Sequence, residues 1–213
     1  MPRIIDYTTL KAAVLAGLER ENDAQAQELF DGWVSTAEGA FAPLLKAPWA
    51  TRAAQFIWGD EGTVVKETMR YEYLPPSYNG MVTLLDLTNN RELPPISPPE
   101  IVHYRRGGSQ VNRVHCIIGL TLFVIPDPGQ PIELFLEYYS RQEPLTEANP
   151  VNSIITQAPN IYKYGVMAAA AVDYGETENY NNWSALMAQS LSDNNELDAG
   201  WRRGAGARVR VTR

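Results

Sequence analysis

Apolar residues recur at helical spacing near the start of the chain. Leu10, Val14 and Leu18 follow one another every four residues, and Thr8 stands just before them as a cap. This pattern predicts a short first helix.

A second, longer helix is predicted to begin after Asn22 or Asp23, since either residue can cap it, and to end before Pro43. Its apolar positions fall on one broad stripe: Leu29, Phe30, Trp33, Val34, Ala37, Ala40 and Phe41.

Between residues 50 and 142 the apolar period changes from that of a helix to that of a strand. The segments "FIWG", "TVVKETMRYEYLP", "MVTLLDL", "VHCIIGLTLFVIP" and "IELFLEYY" are separated by prolines and glycines. Gly119 divides one of them into a buried hairpin, and "PDPGQP" (126–131) predicts a second hairpin loop. One strand face is predicted to hold Ile132, Leu134, Leu136 and Tyr138, and the other Glu133, Phe135, Glu137 and Tyr139.

Helical spacing returns after residue 143. A short helix is predicted around 153–157, and a second one starts with Pro159 and ends at Gly175. A last helix is predicted from about Thr177 to Arg203. Its apolar face is predicted to contain Tyr180, Trp183, Met187, Leu191, Leu197 and Trp201.

The order of these zones predicts an α+β fold. The first and last zones are too small to bury their apolar stripes alone, so they are expected to pack together as an antiparallel helical bundle. The sheet is then an insertion, an antiparallel β-sandwich or small barrel. The predicted divisions are N-terminal helices (1–48), an inserted β domain (49–142), C-terminal helices completing the bundle (143–203) and an extended tail (204–213).

Charge is distributed unevenly along the chain. The 213 residues carry a formal charge of −7, yet the final thirteen, "WRRGAGARVRVTR", contain five arginines and no acidic residue. Without those arginines the remainder carries −12 (−7 minus 5). An acidic body disfavours a main surface that grips nucleic acid.

Composition also argues against membrane, secreted and disulfide-bonded proteins. No apolar run approaches the roughly 18 residues of a membrane span, and the first residues do not resemble a secretory signal. Cys116 is the one cysteine, which excludes an intrachain disulfide and fits synthesis in a reducing cytoplasm.

The residue types that carry chemistry do not assemble into a recognisable site. His103, His115 and Cys116 lack a third metal ligand at a standard spacing. Glu133 and Glu137 would be about 13 Å apart on one strand, beyond the reach of a paired-carboxylate mechanism. "RRGGS" (105–109) is a surface loop or an anion contact. We therefore predict no catalytic residue, no metal and no cofactor, and expect that the chain is not an enzyme.

Four tyrosines between residues 50 and 142 have two interpretations. Tyr71, Tyr73, Tyr138 and Tyr139 could form a platform on which sugars or bases stack. Aromatic residues are also good strand formers, and this interpretation is favoured.

The order of motifs resembles that of bacteriophage head-to-tail connector adaptor proteins. The similarity is carried by a Gly-x-x-Leu strand (119–122), a Pro-x-Pro turn (126–128), Tyr138-Tyr139, Asn149-Pro150 and Ala158-Pro159. The helix containing "LFDGWVSTAEGAF" is similar to the second helix of that family. No single motif is unique, so the specificity lies in their order and spacing.

The resemblance implies a structural protein of the virion, located at the head–tail junction. It implies a ring of twelve subunits beneath the portal protein dodecamer, contacts with neighbouring adaptor subunits, and a link to a tail or nozzle protein. Genome DNA is expected to pass through the channel during ejection without specific binding, and no membrane is involved.

The basic C-terminal segment is the candidate docking site on the portal. Small residues at 204–207 can leave a helix in many directions, and the alternation of Arg and Val suits a strand that adds to a sheet edge. The residues expected to dock are Arg202, Arg203, Arg208, Val209, Arg210, Val211 and Arg213. The alternatives are a tail-associated β domain that recognises a glycan or receptor, or a small phage hydrolase.

Overall fold

The protein is a mixed α+β chain. The computed structural model describes residues 3–59, 64–66, 69–101 and 113–206. In these ranges it contains five α-helices and two four-stranded antiparallel sheets.

The chain divides into two compact units. Unit 1 comprises Met1–Ala50 and Arg141–Arg213, and unit 2 comprises Thr51–Ser140. The described α-helices all lie in unit 1: α1 (Tyr7–Gly17), α2 (Ala24–Phe41), α3 (Ser153–Gln157), α4 (Pro159–Asp173) and α5 (Thr177–Gly206). Short 3-10 turns are formed by Ala42–Leu44 and Pro48–Ala50 in unit 1 and by Pro98–Glu100 in unit 2.

Side-chain caps fix the first two helices. The prediction of Thr8 as the cap of α1 is wrong: Asp6 is the cap, and its carboxylate accepts a hydrogen bond from the Thr9 backbone N–H at 2.8 Å. Thr9 Oγ1 in turn accepts from the Asp6 N–H at 3.1 Å, which completes a capping box. Asp23 caps α2, as one of the two predicted possibilities, through the N–H groups of Gln25 and Ala26.

The boundaries of α3 and α4 follow the predicted signals. Pro159 begins α4, where its missing N–H leaves no intrahelical bond unmade. At the other end Gly175 adopts a φ of 69°, and its N–H donates to Val172 O at 3.0 Å while Glu176 N–H donates to Ala171 O at 2.8 Å. Glycine reaches this left-handed conformation without steric cost, so α4 ends there.

The core of unit 1 is formed where α1, α2 and α5 pack around α4. Leu10, Val14 and the stripe of α2 are buried, except that Ala40 is exposed and Leu29 is partly buried. Gly165 lies at the closest approach: a Cβ there would be 3.2 Å from Ala37 Cβ of α2 and 3.1 Å from Met187 Sδ of α5. The missing side chain therefore lets three helices meet at one point.

Unit 2 consists of strands in two sheets. One sheet has the order β1-β8-β4-β5 and the other β2-β3-β7-β6. The strands are β1 (Thr51–Trp58), β2 (Val64–Lys66), β3 (Met69–Tyr73), β4 (Tyr78–Asp86), β5 (Arg91–Glu92), β6 (Val114–Ile118), β7 (Thr121–Ile125) and β8 (Ile132–Ser140).

The alternation along β8 is confirmed on its inner face, where Ile132, Leu134, Leu136 and Tyr138 are buried. They share one apolar cluster with Leu122 and Val124 of the other sheet. The hairpin at Gly119 is confirmed, since β6 and β7 pair antiparallel. The predicted hairpin at "PDPGQP" is wrong: β7 and β8 belong to different sheets, so this loop carries the chain from one sheet to the other.

Candidate functional site

The candidate docking residues fall at the end of α5. The helix continues to Gly206, so the predicted helix end at Arg203 is wrong and 204–206 are helical rather than extended. Ala205 favours the helix, and the cost of about 1 kcal/mol for each flanking glycine does not end it. Arg202 and Arg203 thus lie on helical backbone. Arg208, Val209, Arg210, Val211 and Arg213 lie outside the described residues.

The inner face of α5 holds the helix against α4. Trp183 stacks on Tyr164 with ring centroids 6.1 Å apart and an interplanar angle of 8°. Met187 and Leu191 continue the contact one and two turns later. Tyr180 and Leu197 do not share this face, and their side chains are 42% and 64% exposed. Leu197 follows Leu191 by six residues, about 240° around the helix, so the predicted stripe included the wrong side there.

Asn195 fixes the C-terminal half of α5 to the segment that follows α2. Its Oδ1 accepts from the Lys46 backbone N–H at 2.7 Å, and its Nδ2 donates to Leu44 O at 3.0 Å. One side chain therefore satisfies two backbone groups beyond the end of α2. Sequence reasoning missed this residue, although an asparagine inside a helix is a signal, because its side chain competes with the helix for backbone hydrogen bonds.

We expect Asn195→Ala to lower the free energy of unfolding by about 1–2 kcal/mol, because two backbone groups lose their partner. Urea denaturation followed by circular dichroism at 222 nm measures the change. Asn195→Asp is the comparison variant: it keeps the acceptor for Lys46 N–H but places a charged oxygen against Leu44 O, so it should also destabilise. A loss below about 0.5 kcal/mol for alanine would contradict the two contacts.

A second hydrogen-bond network lies beside a cavity of about 280 Å³ in unit 1. Glu38 Oε1 accepts from the Tyr162 hydroxyl at 2.5 Å and from the Leu145 N–H at 2.8 Å. Asn152 Nδ2 donates to the same hydroxyl at 2.6 Å, while its Oδ1 caps α3. Burial, with the Glu38 hydrogen bond, raises the pKa of Tyr162, so the hydroxyl stays protonated. The network holds the segment that re-enters unit 1 against α2.

His115 and Cys116 are both buried in unit 2. His115 is 3% exposed, its Nδ1 donates to Leu93 O at 2.7 Å, and burial lowers its pKa. Burial raises the pKa of the Cys116 thiol. Among the described residues no group of three His, Cys, Asp or Glu could hold a metal ion. His103 and the "RRGGS" loop lie outside the described residues.

The four tyrosines do not form one platform. Tyr71 and Tyr73 lie on β3, with ring centroids 5.5 Å apart in an edge-to-face arrangement. Tyr138 and Tyr139 lie on β8 in the other sheet and are buried. The structure thus places the two pairs on different sheets, so the four tyrosines do not lie on one surface.

Glu133 and Glu137 lie on the outer face of β8, opposite Ile57 and Ala53 of β1. Glu133 accepts a hydrogen bond from the side chain of Gln55.

Within the described part of the chain no helix is both long enough and apolar enough to cross a membrane.

Comparison with known proteins identifies the family. The sequence model described as SU10 adaptor protein matches residues 5–211. No curated protein matches the chain. The matching family comprises structural adaptors of phages and is not an enzyme family, which confirms the prediction that the chain is not an enzyme. The protein therefore belongs to the SU10 adaptor family of bacteriophage head–tail adaptor proteins.

Proposed function

We propose that the protein is the connector adaptor that forms a ring of twelve subunits beneath the portal and links it to a tail or nozzle protein. In this proposal the helices of unit 1 form an antiparallel bundle, and unit 2 is a β-sandwich or small barrel inserted in it. The ring lies at the head–tail junction of the virion and leaves a channel for genome DNA. Family membership and the resemblance in motif order support it.

The observation that carries the proposal is the final helix. At 30 residues, α5 is about 45 Å long, and it leads directly into the arginine-rich segment. Asn195 ties it to the rest of unit 1, and the described side chains from Glu196 onward are exposed. An anchored helix with a solvent-facing end is suited to presenting the segment that follows it.

We propose that residues 207–213 form the docking arm on the portal. Seven extended residues reach about 25 Å. Arg208, Arg210 and Arg213 would pair with portal carboxylates, and Val209 and Val211 would fill apolar pockets on the opposite side. Arg202 and Arg203 would add positive charge at the C-terminal end of α5, where the helix dipole favours it. Twelve repeats of a modest contact produce firm attachment.

The acidic remainder of the chain supports the proposed channel. A formal charge of −12 outside the last thirteen residues disfavours retention of phosphates. DNA could then slide through the ring without being held.

Truncation after Gly206, or the double change Arg208→Glu with Arg210→Glu, should weaken binding to the portal at least about 100-fold. The reason is the loss of two charge-assisted hydrogen bonds, worth about 1.5 kcal/mol each. Native mass spectrometry of the chain mixed with its portal measures the complex.

The matched control is Arg52→Glu with Arg141→Glu, which makes the same change in net charge as the double variant at two exposed residues outside α5 and the C-terminal segment. It should bind as the wild type does. Normal docking by the truncated chain would refute the docking arm.

A further inference from the structure

A groove with a volume of about 450 Å³ lies in unit 1, where the N-terminal segment passes the junction of α3 and α4. Ile155 contributes its buried apolar floor, and Ile5, which is 51% exposed, contributes one wall. Arg3 and Lys163 supply positive charge at its rim, and the described lining includes no acidic residue. We call this site the basic groove.

A surface of opposite character lies on α5. Leu186, Asp193 and Leu197 are exposed and, at about 100° per residue, fall within roughly 40° of one another around the helix. Glu196 lies beside them, and α5 contains no basic residue before Arg202. We call this surface the acidic ridge. It is separate from the inner face, where Trp183 and Met187 pack.

The ridge and the groove lie on different elements of unit 1, since none of the described residues that line the groove belongs to α5. Tyr164 and Gly165 of α4 contact α5, through Trp183 and Met187. Lys163 of the groove lies about 100° around α4 from Tyr164, and its Nζ is 5.5 Å from the centroid of the Tyr164 ring. The ridge therefore does not line the groove of its own copy, and the groove is open to the ridge of another copy.

We propose that the acidic ridge of one copy docks in the basic groove of the next, as the subunit contact of the ring. This inference rests on the proposed function, because it supplies the interface that a ring of identical subunits requires. A ring needs two different complementary surfaces on each copy, and the groove and ridge meet that requirement. A cavity of about 150 Å³ is large enough to bind benzene. The basic groove has about three times that volume, so it has room for the leucine side chains of the ridge. Asp193 would then face Arg3 and Lys163.

Two charge-reversal variants test the contact. The groove variant is Arg3→Glu with Lys163→Glu, and the ridge variant is Asp193→Lys with Glu196→Lys. Each alone places like charges across every subunit contact, and each should yield at least about tenfold less ring on the portal than the wild type. Native mass spectrometry counts the subunits, and circular dichroism confirms that each variant is folded.

Mixing the two variants is the decisive arm of the experiment. In a mixture the acidic ridge of the groove variant meets an unchanged basic groove, and the basic ridge of the other variant meets an acidic groove. Rings of strictly alternating composition should therefore form, with six copies of each in a ring of twelve. Combining all four substitutions in one chain should likewise restore rings.

The outcomes separate this inference from the function on which it rests. If the wild type forms rings and the single variants form them equally well, or if mixing restores nothing, the contact is wrong and the adaptor ring stands. If the wild type forms no ring with its portal, the proposed function itself is refuted. The pair Arg52→Glu with Arg141→Glu is again the control, and it should assemble normally.

Discussion

Replacing Trp33 with alanine should lower the free energy of unfolding of unit 1 by about 3–5 kcal/mol. The side chain is 2% exposed and packs edge-to-face against Phe30 and Tyr174, with ring centroids 6.5 and 5.8 Å away. Its Nε1 donates to Asp173 Oδ2 at 2.6 Å, which ties α2 to the end of α4. Alanine would leave a large cavity and remove the hydrogen bond to Asp173.

Circular dichroism at 222 nm during urea denaturation measures this loss, since the described α-helices all lie in unit 1. Trp33→Phe is the matched control, because it keeps a ring and loses the N–H donor. Combined with Asp173→Ala in a double-mutant cycle, it should give a coupling energy of about 0.5–1.5 kcal/mol for the hydrogen bond, because Asp173 is exposed to solvent. A loss below about 1 kcal/mol for alanine would contradict the packing described.

The predicted elements that proved correct depended on local signals. Asp23, Pro159 and Gly175 act through their own backbone or nearest turn, so the sequence contains all the information needed. The alternation along β8 succeeded for a similar reason, because one side of the strand meets the other sheet. Tyr139, on the other side of that strand, is also buried, which alternation alone does not predict.

The errors arose where tertiary pairing decides. "PDPGQP" has the composition of a hairpin loop, but pairing of β8 with β1 and β4 places it between sheets. The last helix continued past Arg203 because "GAGA" does not by itself end a helix. The stripe of α5 was extended to Tyr180 and Leu197 because the three- and four-residue steps were followed beyond the contact with α4.

For the candidate site, the sequence predicted the residue types but not the tertiary contacts that hold them. Five arginines in an acidic chain identify the C-terminal segment as distinct without any structure. The anchor at Asn195 and the groove at Ile155 bring together residues that are more than 140 positions apart, namely 46 with 195 and 3 with 163. No periodicity indicates such pairs.

Replacing Asp86 with alanine is expected to destabilise unit 2 by about 2–4 kcal/mol. The carboxylate is fully buried and accepts hydrogen bonds from the Asn89 N–H at 2.9 Å and its Nδ2 at 2.8 Å. Arg113 Nη1 lies 3.4 Å and Arg91 Nε 3.6 Å from Oδ2. Both guanidinium groups would lose their counter-ion. Their side chains are 20% and 36% exposed, so solvent reduces the cost below that of a fully buried pair.

Hydrogen exchange of peptides covering β4, β5 and β8 measures the effect within unit 2. Asp86→Asn is the matched control: it keeps an oxygen for the Asn89 N–H and removes only the charge, so it should cost less than alanine. An effect of alanine no larger than that of Asp127→Ala, at an exposed acid of the same unit, would contradict the assignment.

A triple change separates the ion pairs from the packing around them. If Asp86→Ala is costly because two cations lose their partner, then Asp86→Leu with Arg91→Met and Arg113→Met should recover most of the lost stability. Apolar side chains of similar volume replace buried ion pairs at little cost, whereas removal of one partner leaves an uncompensated charge. If the triple change does not recover stability, the ion pairs are not the reason for the loss. Asp86 would then stabilise unit 2 through its hydrogen bonds with Asn89.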